Sequence, residues 1–309
     1  MLQRDEFINV INESIPNDPD IYFLSADFGA EALDKLRNDY KDNFIHCGIS
    51  EQAMIDVATG LALQGKKVFV YAMAPFLSLR AIEQIKCGPG MMDLPICLIS
   101  VGVGLGYADS GPTHYTNEEF ACLRSISGST IYSAADSMTA RLIAKELVKN
   151  PKFSYVRLDR HELESIDSKM NNEIINTGYR VIGEFSDSKT ALVSHGKMVQ
   201  RCVEITNTFP DEYYTIDVIQ SKPITENLLD FFRNVKNLVV VDEQVQAGAL
   251  GSAIFEKLSS NNIYKKIALV NLADKYIFEN GGREYLLDNY GLAKDDIINA
   301  AKTINSDNN

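Results

Sequence analysis

The stretch GISEQ, Gly48 to Gln52, puts a carboxylate, Glu51, where a helix should open. In that place a carboxylate complements the positive end of the helix dipole, and Ser50 can cap the free amides, so Glu51 needs no chemistry to explain it. A second group lies in VGVGLGYADSGPTH, residues 101–114, which ends on His114. Its glycines resemble a phosphate cradle, but neither a GxGxxG in a strand-turn-helix context nor a P-loop GK[ST] is present, so they serve tight turns and the close approach of a ligand. His114 on such a loop suits a proton carrier or a polar substrate contact, and spacing alone describes an ordinary surface residue as well.

The elements that must position these residues follow an alternating pattern. Apolar runs rich in Val, Ile, Phe and Tyr predict strands at 21–26, 67–72, 96–101, 130–134 and 153–158, separated by helical segments. Helix 51–64 should stop at Gly65, and Asp136 should cap a helix running to Lys149. HELESIDSKMNNEIINTG, after Arg160, is polar and aperiodic and reads as a linker; strands then follow near 190–195, 213–219, 237–243 and 266–272. The expected fold is α/β, with two doubly wound domains of mostly parallel sheets, 1–165 and 166–309. Such sheets take ligands beyond the carboxyl ends of their strands, which is where the loop 101–114 lies, after the strand 96–101.

Composition narrows the class. A chain of 309 residues, 45% apolar and 23% charged, describes a soluble globular protein. The net charge of −12 disfavours nucleic acid and anionic membrane as partners. The N-terminus lacks a secretory core, and no apolar run is long enough to cross a bilayer. Five scattered cysteines without a CxxC pair read as reduced thiols in a cytoplasmic protein.

Three segments in order, HCGISEQAMIDVATGLALQGKKVFVYAMAPFLSLRAIEQIK, GPTHYTNEEFACLRSI and VVVDEQVQAGALGSAIFEKL, resemble the C-terminal half of transketolases, the pyrimidine-binding plus C-terminal domains. The resemblance implies thiamine diphosphate as cofactor. It gives Glu51 the task of hydrogen-bonding the aminopyrimidine nitrogen remote from the thiazolium, which favours the imino tautomer that forms the ylid. Phe76 matches the aromatic that stacks on the pyrimidine, with Leu77 beside it as the alternative register. Arg80 would line the same pocket or pair with an acid on the partner. Asp27 and Phe28 match an acid and a bulky apolar residue near the thiazolium. His114 would face the substrate, Arg160 would bind a sugar phosphate with its guanidinium fork, and Asp109 would read a hydroxyl.

Some positions depart from that pattern. Gly102 stands where many transketolases carry a second substrate histidine, Ser110 where an aspartate is common, and Tyr115 where Gln is common. The GDG motif that holds Mg2+ and the diphosphate in the family does not occur in these 309 residues. The resemblance therefore implies a split enzyme: a partner subunit carries the diphosphate-binding domain and ligates Mg2+, and the two form an α2β2 heterotetramer. The implied reaction is transfer of a two-carbon ketol unit from a ketose, as its phosphate, to an aldose. A deoxyxylulose phosphate synthase-like enzyme shares GPTH, whereas the beta subunit of a 2-oxoacid dehydrogenase carries a different loop there. A non-catalytic assembly or regulatory half is the alternative outside enzymology.

Overall fold

The computed structural model of the chain describes residues 1–26, 30–166 and 173–306. Six parallel strands build the first sheet: β1 (Ile21–Ser25), β2 (Phe44–His46), β3 (Lys67–Met73), β4 (Ile96–Val101), β5 (Thr130–Ser133) and β6 (Ser154–Leu158). The second half supplies β7 (Tyr179–Ile182), β8 (Thr190–Ser194), β9 (Tyr213–Val218), β10 (Gln220–Lys222), β11 (Asn237–Val245) and β12 (Lys266–Leu272). Strand order is β10-β5-β6-β4-β3-β1-β2 in one sheet and β12-β11-β8-β9-β7 in the other, so the expected pair of doubly wound α/β sheets is present. Every residue of β4 and β6 is buried, as expected of central parallel strands covered by helices on both faces.

The two sheets are joined by more than the covalent chain. Strand β10 leaves the second half to pair antiparallel with β5 at the edge of the first sheet. Among the described residues, three buried arginines bridge the halves. Arg180 on β7 donates to Asp217 and to Asp136, the cap of helix Ser137–Lys149. Arg283 donates to Asp159 at 2.6 Å and to both carboxylate oxygens of Glu243. Arg157 pairs with Glu119 at 2.8 Å and lies beside His195, whose Nε2 is 3.0 Å from Asp242. His195 is therefore a structural residue, buried in this cluster.

In that last cluster one cation faces two carboxylates. Asp242 is held ionised by His195, Arg157 and the Leu250 amide, whereas burial pushes the Glu119 carboxyl up to about 7 against the pull of Arg157. The native state then binds a proton that an unfolded glutamate, with a pKa of about 4.3, releases sooner. The contribution of Glu119 is fully present below about pH 4 and is lost as pH rises through about 7. Calorimetric melting of wild type and Glu119→Gln should show the wild type losing about 2 to 3 kcal/mol against the variant between pH 4.5 and pH 8. Parallel profiles would place the proton elsewhere.

No helix among the described residues is long and apolar enough to cross a membrane.

Candidate functional site

The candidate residues follow the carboxyl ends of neighbouring parallel strands. Glu51 comes after β2, Phe76 and Arg80 after β3, the 102–117 loop after β4 and Arg160 after β6. Asp27 and Phe28 follow β1 in sequence and lie outside the described residues.

Glu51 opens helix Glu51–Leu63 with its side chain 4% exposed. The expected Ser50 cap is absent: the Ser50 hydroxyl donates instead to the Cys47 carbonyl at 2.5 Å, because the backbone turns through Gly48 at φ +67° before the helix begins. The Glu51 carboxylate is held by Arg80, whose Nη1 donates to Oε2 at 2.7 Å. Arg80 thus has an acid within this chain.

Phe76 begins a wide π-helical turn, Phe76–Arg80, immediately after Pro75. The turn sends Leu77 into the core, fully buried, and leaves the Phe76 ring half-buried at the surface of the site. That settles which of the two faces outward. The Arg80 guanidinium lies 4.1 Å from the Phe76 centroid, and the His114 ring meets Phe76 edge-on at 5.4 Å. Glu51, Arg80, Phe76 and His114 therefore form one run of contacts. The Nδ1 of His114 is 2.8 Å from the Thr113 hydroxyl, which fixes the ring from behind.

Arg80 makes this geometry informative. Its guanidinium is planar, presents N–H donors, stacks on Phe76 and hydrogen-bonds a nearly buried carboxylate. A flat nitrogen-bearing ring stacked on Phe76 and offering N–H to Glu51 would make the same two contacts, so the residues fit an aminopyrimidine.

A second group lies around Arg160. Its Nη1 donates to Asp109 Oδ1 at 2.8 Å, and its guanidinium sits 4.5 Å from the ring centre of Tyr107. Tyr107 was not singled out by sequence reasoning; its only signal was an aromatic residue inside a glycine-rich loop. Tyr115 is buried, and its hydroxyl accepts from the Ile277 amide and donates to the Ile277 carbonyl, so it ties the loop to the second half of the chain. Ser110 is exposed. His161 turns to Asp159, its ring nitrogen 3.6 Å from the carboxylate.

Comparison with known proteins gives the family and the fold. Residues 3–165 match the family described as the transketolase pyrimidine-binding domain, and residues 183–297 match the transketolase C-terminal domain. The chain is 25% identical to an apulose-4-phosphate transketolase subunit of Phocaeicola vulgatus, over 96% of each chain. It is 26% identical to a 6-deoxy-6-sulfo-D-fructose transketolase subunit of a Clostridium species, over 97% of this chain and 94% of that one. In fold it resembles a split-gene transketolase solved as an inactive beta4 tetramer, with TM-score 0.86, 24% identity and coverage of 99% and 98%.

Proposed function

This chain belongs to the transketolase family, through its pyrimidine-binding and C-terminal domains, and on that premise we propose that it is the C-terminal, beta-type subunit of a split transketolase. The pyrimidine-binding domain is assigned to 1–165 and the C-terminal domain to 166–309. The reaction is transfer of a two-carbon ketol unit from a ketose to an aldose, in the cytoplasm, by an α2β2 complex whose other subunit carries the diphosphate-binding domain and ligates Mg2+. End-to-end matching to proteins named as transketolase subunits supports the split architecture.

The observation that carries the reading is the guanidinium of Arg80 between Phe76 and Glu51, a planar N–H donor in the place the cofactor ring requires. Thiamine diphosphate, when bound, supplies a thiazolium carbon able to add to a carbonyl and carry the two-carbon fragment. Glu51 holds the proton at the far ring nitrogen, and its burial keeps water from competing for that bond. Phe76 supplies the stacking face. Arg80 lines the same site, keeps the buried carboxylate paired while the ring is away, and moves aside for it. Asp27 and Phe28 are assigned to the thiazolium side. His114, edge-on to Phe76, faces the reacting carbonyl or its hydroxyls, where an imidazole can pass a proton. Arg160 takes the anionic end of the sugar and Asp109 a hydroxyl.

Because Arg80 holds the same two contacts, it competes with the ring. Titration calorimetry of thiamine diphosphate with Mg2+ into the assembled complex should show binding that this chain alone does not give. Arg80→Met should tighten that binding about five-fold. Weakened binding would instead make Arg80 a direct cofactor ligand, and equal binding by the isolated chain would refute the shared site.

A further inference from the structure

We propose that Tyr107 is the positioning residue that sets how Arg160 meets the tetrahedral oxyanion at the end of the sugar. The proposal rests on the transketolase reading for the existence of that anionic substrate and goes beyond it in assigning Tyr107 and Gly102.

Arg160 leaves the end of β6 on a long side chain that is 35% exposed, and such a chain by itself samples many rotamers. Two residues of one short turn, Ala108–Ser110 with the Tyr107 that precedes it, remove that freedom. Asp109 holds the guanidinium through Nη1, and the guanidinium carbon lies over the Tyr107 ring, 4.5 Å from its centroid. A guanidinium has five N–H donors in a fixed fork. With one donor given to Asp109 and one face given to the ring, the remaining edge can meet two oxygens of an anion side by side.

The ring has its place only because Gly102 lacks a side chain. A Cβ on Gly102 would lie 2.1 Å from Cε2 and 2.3 Å from Cδ2 of Tyr107, far inside contact distance. Gly102 is the first residue after β4 and has φ +79°, so the chain turns away there and opens a slot beside the strand end that the Tyr107 ring fills. Gly102, Tyr107, Asp109 and Arg160 thus act as one device: a cleared slot, a platform, an edge clamp and the cation. A stack between an exposed cation and a half-buried ring adds little to folding. Its effect should therefore fall on the substrate.

The test uses the complex with its partner subunit, with hydroxypyruvate as donor and D-ribose, D-ribose 5-phosphate and the 5-sulfonate analogue of ribose as acceptors. Tyr107→Ala should raise KM for an anionic acceptor about ten-fold, with KM for ribose and kcat within about two-fold of wild type. Tyr107→Phe keeps the platform and should stay within about two-fold of wild type. Gly102→Ala should push the ring out and raise the same KM; because alanine at φ +79° also strains the backbone, a melting curve of that variant separates the two effects. Loss with either anionic acceptor supports the proposal and tells phosphate from sulfonate. Equal loss with ribose, or an unchanged KM for both anionic acceptors in Tyr107→Ala, overturns it. If the wild-type complex fails to turn over hydroxypyruvate at all, the transketolase reading fails separately. Calorimetric binding of ribose 5-phosphate to the same complexes then decides the role of Tyr107, supported by about ten-fold weakening in Tyr107→Ala and overturned by equal affinity.

Discussion

Glu51→Gln in the assembled complex is expected to lower kcat at least about a hundred-fold, with fold and assembly retained. Gln has the shape of Glu and can still hydrogen-bond a ring nitrogen, but it cannot hold or return a proton at that atom. Arg80 loses its ion pair in the variant, yet it is 41% exposed and finds water, so the cost to folding should be small. The measurement is steady-state turnover beside a melting curve of the same sample. A variant that folds, assembles and turns over at the wild-type rate would rule out cofactor activation by Glu51.

Arg283→Met should cost about 3 to 5 kcal/mol of unfolding free energy, the range for breaking a buried ion pair from one side. The guanidinium is buried between Asp159 at the end of β6 and Glu243 on β11, and each is itself nearly buried. Burial pushes the Asp159 carboxyl up, but Arg283 and the hydrogen bonds from His161 outweigh it and hold the group well below the usual carboxylate range. That contribution is complete above the unfolded value of about 3.9 and is lost as pH falls through the lower folded value. The gap between wild type and Arg283→Met should therefore be widest near neutrality and narrow in acid. Denaturant unfolding at pH 7 and pH 3.5 measures it. A gap that widens in acid would contradict the assigned charge state. Because Asp159 adjoins Arg160, the variant should also loosen the anion end of the site, seen as a raised KM for anionic acceptors with less change in kcat.

What could be read in the sequence follows from where each signal resides. Strands β3, β4, β6, β8 and β11 are apolar because both their faces are covered, and this local property was visible in the chain. Strand β10 was invisible because Gln-Ser-Lys has no strand pattern; it is a strand only because β5 offers an edge to it. The edge strands β2 and β7 were missed because runs of three and four residues are too short to stand out, and the segment read as linker carries a short helix, Glu173–Thr177. The Asp136 cap was legible because the side chain acts three residues along, on the Thr139 amide. The Arg283 bridge was not, since its partner Asp159 lies 124 residues away.

The site divides in the same way. Spacing placed Glu51 at a helix start and His114 on a loop after a strand, and it assigned no chemistry to either. Resemblance supplied the roles, and the structure then brought Glu51, Arg80, Phe76 and His114 into contact. Tyr107 escaped both routes, because its meaning depends on the empty side of Gly102 and on a guanidinium more than fifty residues away.

The central claim is tested most directly by turnover of ketose and aldose phosphates by this chain copurified with the proposed GDG-bearing partner, with thiamine diphosphate and Mg2+ supplied. Two-carbon transfer that requires both chains is the predicted result. Release of CO2 from pyruvate with no two-carbon transfer to any aldose would contradict the account and move the chain to the 2-oxoacid branch.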